Sequence, residues 1–439
     1  MGQLRTVSPL DLARTLGAVL LPPVIKGPIV RRPRAVTLVE RMDAETHALT
    51  QMQRLREEYG PDPALINLAG RRMALVLDPD DVHRVLNESP EPFAPASLEK
   101  RGALGHFQPA GVLASSNEDR LQRRPFNEDV LAAGTAVHPQ VGLRLAEVAR
   151  EEMDALLGHA DFAGELDWDS YSRAWMRIAR RAVLGDSARE DEAVTDELLT
   201  LRRLGNLSYL APRRPGLRAR FLERLRGYVE RAEPGSLAEV IAQTPAPPGT
   251  EPHQQIPQWL FAFDAANWAS FRALALLTDH PGAADQARAE LDRAPDLPFV
   301  RSAVLESLRL WPTTPLILRE TTRETSWRTG TLPEGTSLVI FAPFFHRDDQ
   351  RLPQAHTFDP DQWLQERTDE DWPLVPFSGG PAMCPGRNVV LLVASSALGH
   401  LIGSRTFSST AGLEPGRMPS LLSPFRLRFP VSGPAPARA

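Results

Sequence analysis

One cysteine, Cys384, stands alone in the chain, and the loop around it constrains the fold more than any other stretch. From Phe377 to Arg387 the loop reads Phe-Ser-Gly-Gly-Pro-Ala-Met-Cys-Pro-Gly-Arg. Its glycines allow turns and the close approach of a flat ligand, and its prolines stiffen the backbone. The apolar run 388–402 that follows is long enough for about four helical turns. Cys384 is therefore expected just before a helix N-terminus, where N–H groups and the helix dipole favour a thiolate.

Two other interpretations of Cys384 are weaker. A lone cysteine is most often a small buried hydrophobic residue, but such a residue does not need glycines and prolines around it. A cysteine hydrolase would need a histidine base near the sulfur, and the rigid loop has no role in that chemistry. The loop therefore favours an activated sulfur that binds something.

Composition limits the class of protein. The chain has 439 residues without a linker-like break, which favours one large domain over 37–430, a Pro-rich arm over 1–36 and a flexible tail over 431–439. A net charge of −5 argues against a nucleic-acid partner. A single cysteine excludes an intrachain disulfide and fits a reduced, cytoplasmic setting. The apolar stretch Leu10–Leu21 is short, carries Arg14 and lacks the preceding basic region and cleavage site of a signal peptide, and it is too short to span a membrane.

Hydrophobic periodicity predicts a mainly α-helical protein with small β-sheets. A hairpin is expected over 64–77, short strands over 316–340, and hairpin strands over 406–430. The segment Glu88–Val112 has few helical signals, and long irregular segments of this kind often carry function. Helices are expected at about 36–59, 78–87, 117–131, 137–158, 168–184, 190–205, 213–232, 256–279, 283–293 and 299–310.

The run from Ile256 to Asp279 predicts a long helix that is buried on nearly all sides, because apolar residues surround it. At about 1.5 Å per residue it would cross the whole domain. Asp264 and Asn267 lie at i and i+3, on one face of this helix. A buried acid is costly unless it has a partner or a task, so both residues are candidates for catalysis.

The chain resembles the cytochrome P450s, the haem-thiolate monooxygenases, and four separated features carry the resemblance. The cysteine loop matches that family's pattern at Phe377, Gly380, Cys384 and Gly386. Glu306 and Arg309 match its helical Glu-x-x-Arg motif, and 358–363 is similar to its meander segment. The helix over 256–279 resembles the family's dioxygen-binding helix.

The resemblance implies a fold in which haem b lies between the long central helix and the cysteine loop, with Cys384 as the axial iron ligand. Glu306 and Arg309 would lock the core beneath the haem. Arg319 matches a position that usually pairs with a haem propionate. Arg123 or Arg124 would supply another propionate contact, because arginine binds carboxylates through two hydrogen bonds.

Three residues depart from the family's pattern. Ala382 stands where a basic residue usually contacts a propionate, so Arg123, Arg319 or His106 is expected to compensate. Gln362 stands where an arginine often completes the lock, and its amide can still bond a carboxylate. Ala265 replaces the hydroxyl residue that helps to deliver protons during oxygen activation. Proton delivery would then depend on Asp264, Asn267, water or the substrate.

The resemblance implies a bacterial monooxygenase that takes electrons from NAD(P)H through a ferredoxin reductase and a ferredoxin. Its substrates would be dioxygen and a small, largely apolar organic molecule, such as a specialised metabolite. Ala265 also leaves open another haem-thiolate reaction, such as peroxygenation, oxidative coupling, cyclisation or isomerisation. A haem protein that only binds or senses a ligand is a third interpretation.

Overall fold

A computed structural model describes residues 2, 4–68, 70–293, 295–366 and 373–435 of the chain. Helices dominate it, as the periodicity predicts. The helices are α1 (Pro9–Thr15), α2 (Leu21–Lys26), α3 (Pro33–Arg41), α4 (Ala44–Tyr59), α5 (Pro79–Asn87), α6 (Leu98–Leu104), α7 (Asn117–Val130), α8 (Gly142–Ala163), α9 (Trp168–Leu184), α10 (Glu192–Gly205), α11 (Pro215–Arg231), α12 (Leu237–Gln243), α13 (Ile256–Asp279), α14 (Pro281–Glu290), α15 (Pro298–Leu310), α16 (Ala342–His346) and α17 (Arg387–Ser404).

The strands form two small sheets and a short hairpin. They are β1 (Ala64–Leu68), β2 (Arg71–Leu75), β3 (Phe93–Ala94), β4 (Glu165–Asp167), β5 (Leu316–Thr321), β6 (Thr325–Ser326), β7 (Thr331–Leu332), β8 (Ser337–Phe341), β9 (Arg405–Phe407) and β10 (Arg428–Pro434). One sheet has the order β1-β2-β8-β5-β3, with β2 and β8 parallel and the other neighbours antiparallel. The second has the order β4-β10-β9, and β6 pairs with β7. The predicted class, mainly α with small sheets, is confirmed.

Local sequence signals explain where many helices begin. The Ser116 side chain accepts a hydrogen bond from the Asp119 N–H, which caps α7. Asp167 and Ser170 form a reciprocal capping box at the start of α9. Proline lies in the first turn of α13, where its missing N–H has no intrahelical acceptor to lose. Such signals place most of the helices close to their predicted positions.

Several boundaries differ from the prediction. The predicted helix over 36–59 is two helices, because Asp43 adopts a left-handed conformation with φ 50° between α3 and α4. Helix α7 runs through Pro125 and covers most of the predicted helix over 117–131. The irregular segment 88–112 contains β3 and α6. The prediction of a flexible tail over 431–439 is wrong for residues 431–434, which belong to β10 and pair with β9, while 436–439 lie outside the described residues.

The buried hydrophobic residues of the described chain form two cores. The larger core packs α8, α9, α13, α15 and α17 together, and α13 lies at its centre. The smaller core covers the five-stranded sheet with α4, α5 and the N-terminal arm. Among the described residues, no helix is long and apolar enough to cross a membrane. This arrangement brings α13 opposite the loop that precedes α17.

Candidate active site

A cavity lies between α13 and the cysteine loop. Cys384, Phe377 and Gly386 line it from the loop side, and the alanines of α13 line it from the opposite side. Residues from α6, α7, the end of α15 and β5 complete its walls. The cavity therefore collects side chains from segments that are far apart in the sequence.

The cysteine loop is held by its own backbone. Met383 N–H donates to the Gly380 carbonyl at 2.9 Å, and Cys384 N–H donates to the Phe377 carbonyl at 3.0 Å. Gly380 has φ +62°, and a Cβ there would lie 2.1 Å from the Leu86 carbonyl oxygen of α5. A side chain at this position would therefore collide with backbone. Gly380 supports the loop from outside, whereas Phe377 and Gly386 contact the cavity itself.

Cys384 lies just before the N-terminus of α17, which begins at Arg387, as the sequence predicts. Burial raises the pKa of the Cys384 thiol, and a backbone hydrogen bond from Gly386 and the charge of Arg124 only partly oppose this. In the chain by itself, the sulfur thus favours the protonated form. A bound metal cation would reverse this preference, because a coordinating thiol is deprotonated.

Three cations lie at one end of the cavity, and two of them, Arg120 and Arg319, are buried. Lys100 of α6 donates to the carbonyls of Pro95 at 2.9 Å and Leu318 at 3.0 Å. Arg319 of β5 donates to the hydroxyls of Ser89 at 2.9 Å and Ser378 at 3.1 Å. The third cation is Arg120 of α7, which is 5% exposed. Within the described chain, none of the three forms an ion pair with a carboxylate.

These cations destabilise one another. Burial and then the charge of Arg120 lower the pKa of Arg319 to about 9. Burial and then the charge of Arg124 lower the pKa of Arg120 to about 10. Burial, followed by the charges of Arg319 and Arg120, lowers the pKa of Lys100 well below its usual value. Uncompensated buried charge is costly, so this end of the cavity fits a ligand that carries carboxylates.

The structure separates the predicted propionate contacts. Arg124 lines the cavity and bonds Glu128 and the Met383 carbonyl, each at 2.6 Å. Arg123 points elsewhere and bonds Ser115 at 2.8 Å and the Gly249 carbonyl at 3.1 Å. His106 also lies away from the cavity, with Nε2 at 2.7 Å from the Ser208 carbonyl. Neither Arg123 nor His106 is therefore placed to compensate for Ala382.

Sequence reasoning missed Lys100 and Arg120. Arg120, Arg124 and Asn127 all line the cavity, and their i, i+4, i+7 spacing puts them on one helical face. That spacing excludes Arg123 and could have selected Arg120. Lys100 is one of only two lysines in a chain whose other cations are arginine. The rarity of lysine was the available signal, although it does not by itself indicate a ligand.

Beyond its first turn, the face of α13 that borders the cavity is apolar. It presents Ala262, Ala265, Ala266 and Ala269. Asp264 lies beside this face and pairs with Arg202 of α10 at 2.6 Å. The Arg202 guanidinium also stacks on the Phe261 ring, 4.4 Å from its centroid. Asp264 therefore joins α13 to α10 and does not line the cavity.

Asn267 lies on the far side of α13. It is fully buried, and its Nδ2 donates to Ser172 of α9 at 2.9 Å. Asp264 and Asn267 thus share a helical face in the sequence pattern, but different neighbouring helices engage them. The structure brings neither side chain into the cavity with Cys384.

Glu306 and Arg309 form a buried ion pair at 2.6 Å, and both side chains are 0% exposed. Glu306 also accepts hydrogen bonds from the Asp359 N–H, Gln362 Nε2 and Trp363 Nε1, at 2.9, 3.1 and 2.8 Å. Gln362 therefore contacts the pair through its amide, in the way that its place in the sequence suggests. The pair ties α15 to the segment that leads toward the cysteine loop.

Comparisons with known proteins agree with this geometry. The family model described as Cytochrome P450 matches residues 262–412, which include most of α13 and the cysteine loop. Cyclooctat-9-en-7-ol 5-monooxygenase of Streptomyces melanosporofaciens is 28% identical over 387 residues, which cover 77% of this chain and 81% of that protein. Cytochrome P450 98A8 of Arabidopsis thaliana is 29% identical, but the match covers only 38% of this chain and 37% of the plant protein.

Solved structures show the same fold over most of the chain. The crystal structure of a cytochrome P450, CYP102L1, matches with a TM-score of 0.71 and 18% identity, covering 88% of this chain and 94% of that one. The retinoic acid-bound cyanobacterial CYP120A1 matches with a TM-score of 0.66 and 17% identity, covering 87% and 93%. Together with the family match around Cys384, these similarities support a cytochrome P450, a family whose monooxygenases use haem held by a cysteine thiolate.

Proposed function

We propose that the chain is a bacterial monooxygenase that binds haem b and oxidises a small, largely apolar organic molecule with dioxygen. The observation that carries the proposal is the cavity, in which Cys384 and three unpaired cations face an apolar helix. When bound, haem supplies the oxygen chemistry, and a thiolate ligand favours O–O cleavage. The chain itself provides the ligand, orientation, electrostatics and the exclusion of water.

In this proposal, Lys100, Arg120 and Arg319 hold the two haem propionates. Their charges have no carboxylate partner among the described residues, and two propionates would supply the missing negative charge. Lys100 then takes over the function of the basic residue that is absent at Ala382. This assignment explains why a half-buried lysine lies next to two buried arginines.

Replacing Arg120 by leucine should weaken haem binding, whereas replacing Arg123 by leucine should not. A hydrogen bond to a charged group contributes about 1.5–3 kcal/mol, so haem loss from R120L should be roughly tenfold to a hundredfold faster. The measurement is the rate of haem transfer to excess apomyoglobin, followed by the Soret band. R123L is the matched control on the same helix. Equal rates in the two variants would contradict the assignment of Arg120.

Proton delivery in this site is proposed to involve water or the substrate. In the described part of α13, the residues that face Cys384 across the cavity are alanines, and the Asp264 carboxylate is engaged by Arg202. A hydroxyl on the substrate could occupy the space that Ala265 leaves. By its name, the Streptomyces relative acts on an alcohol with a hydrocarbon body. We propose a substrate of that kind for this chain.

A ferredoxin, reduced by its NAD(P)H-dependent reductase, is the proposed electron donor. A groove lies on the outer side of the cysteine loop and includes Arg124, Pro381 and Met383. Glu128, Asp129 and Thr135 also line this groove, and Arg301 donates at 3.3 Å to the carbonyl of Ala136, the residue after Thr135. Arg301 and Arg387 form no ion pair within the described residues. Their charges suit an acidic protein that docks beside the sulfur.

A second candidate is a haem-thiolate reaction that uses peroxide or adds no oxygen atom. Ala265 favours it, because the cavity face of α13 carries no hydroxyl that could relay protons. A protein that only binds a ligand is less well supported. The cavity lining includes Pro95, Val112 and Leu113, which belong to a segment long enough to cover a substrate.

The test supplies the purified holoprotein with cyclopentadecanol and either of two oxidant systems. One contains NADPH, a plant-type ferredoxin, its reductase and ¹⁸O₂, and the other contains hydrogen peroxide alone. We expect a diol carrying one ¹⁸O atom in the first system. Product only with peroxide, or product without ¹⁸O, would favour the second candidate. Tight binding without NADPH consumption or product would favour the binding protein.

A further inference from the structure

An amide side chain, Gln258, borders the cavity in the first turn of α13. Its Oε1 accepts a hydrogen bond from Nε2 of Gln108, which is fully buried on the segment after α6. The Gln258 Nε2 donates to no group in the described part of the chain. The Gln108 Oε1 behind it is buried and also has no partner there. The amide pair therefore retains hydrogen-bonding capacity that the protein does not use.

The neighbouring polar groups of the cavity differ from Gln258 in this respect. Trp259 Nε1 donates to Asn127 Oδ1 at 2.8 Å, and Asn127 Nδ2 donates to Gln255 at 3.1 Å and to the Arg123 carbonyl at 2.7 Å. These groups satisfy one another. The next turns of α13 present only apolar side chains to the cavity. On this wall, Gln258 thus supplies the hydrogen-bond donor that a ligand could reach.

The orientation of the amide pair does not change this conclusion. If Gln108 Nε2 donates to Gln258 Oε1, both N–H bonds of Gln258 remain available. If the donor and acceptor are exchanged, one N–H of Gln258 is used and the other remains. The Gln258 donor is half-buried on an otherwise apolar wall, so a ligand that supplies an acceptor would gain a hydrogen bond there.

We propose that Gln258 is a specificity-determining residue, whose N–H binds an oxygen acceptor on an otherwise apolar substrate. The inference rests on the proposed function, because it assigns the substrate contact of the same cavity. Gln258 precedes Ala265 by seven residues, which is about 10 Å along a helix. The preferred substrate therefore has an apolar body large enough to extend from the amide toward Cys384, with a carbonyl, ether or hydroxyl oxygen at the amide end.

The experiment compares two rings that differ by one carbonyl oxygen, cyclopentadecanone and cyclopentadecane. Dissociation constants are measured on the ferric holoprotein from the change in the Soret band. The Kd of the hydrocarbon divided by the Kd of the ketone reports on the oxygen contact. We expect this ratio to fall by about fivefold to tenfold in Gln258→Leu, which corresponds to the loss of one hydrogen bond.

Gln258→Glu separates recognition from a structural role. Glutamate can still accept from Gln108 Nε2, so it preserves the tie between the two segments but removes the donor. We expect Q258E to lose the ketone preference as Q258L does. Gln243→Leu, an exposed change on α12, should keep the wild-type ratio. An unchanged ratio in Q258E, or the absence of a Soret change with both rings in the wild type, would overturn the proposal.

The same samples distinguish failure of this inference from failure of the proposed function. The reduced carbon-monoxide spectrum shows whether each protein carries haem with a thiolate ligand. A normal spectrum with an unchanged Kd ratio would refute the contact at Gln258 alone. A wild-type protein without the thiolate spectrum would refute the proposed function itself.

Discussion

Replacing Arg309 by alanine is expected to destabilise the protein by about 3–5 kcal/mol, the range for removing one partner of a buried ion pair. The Arg309 guanidinium bonds Glu306 at 2.6 and 2.8 Å. It also donates to the backbone carbonyls of His346, Gln354, Ala355 and Thr357. Alanine would leave the Glu306 carboxylate in a site with no access to water and would leave several of these carbonyls unpaired. The measurement is urea unfolding of the holoprotein, followed by circular dichroism.

The control for this prediction has the same spacing on the surface. Arg226 pairs with Glu223 at 2.6 Å, also at i and i+3, but the side chains are 47% and 68% exposed. Arg226→Ala should cost only a few tenths of a kcal/mol, because water screens exposed pairs. A double variant that also replaces Glu306 by alanine should lose less than the sum of the two single losses, since no unpaired charge remains. A loss below about 1 kcal/mol in R309A would contradict this account.

The sequence could predict features that depend on local spacing. The cysteine loop, the buried helix over 256–279 and the Glu306–Arg309 pair are each set by residues close together in the chain, and each is present in the structure. The hydrogen bond from Gln362 could also be predicted from the sequence, because an amide at that position can reach the Glu306 carboxylate. Local patterns determine which face of one helix is apolar.

The sequence could not predict which neighbour engages each polar side chain. The partner of Asp264 is Arg202, which is 62 residues away. Asn267 is engaged by α9, so a shared face in the pattern did not bring it to the cavity. Arg123 and Arg120 have the same chemistry, and only the packing of α7 determines which one borders the cavity. Lys100 lies near Arg319 because α6 packs beside the sheet that contains β5, and this packing cannot be inferred from local sequence.

Replacing Cys384 by serine is expected to remove the red-shifted Soret band of the reduced, carbon-monoxide-bound protein. A serine oxygen lacks the soft, polarisable sulfur that produces a thiolate spectrum and favours O–O cleavage. Monooxygenase turnover should fall below detection at the same time. The measurement is the reduced carbon-monoxide difference spectrum of both proteins, at equal haem concentration.

The serine variant should still bind haem, and this separates the ligand role of Cys384 from a structural role. Lys100, Arg120 and Arg319 do not depend on the sulfur, so their proposed propionate contacts remain. The loop is also held by the Met383–Gly380 backbone hydrogen bond and by the close packing of Gly380 on α5. Met383→Leu, next to the cysteine, should keep the wild-type band. A thiolate-type band that persists in C384S would show that another group binds the iron, because Cys384 is the only cysteine in the chain.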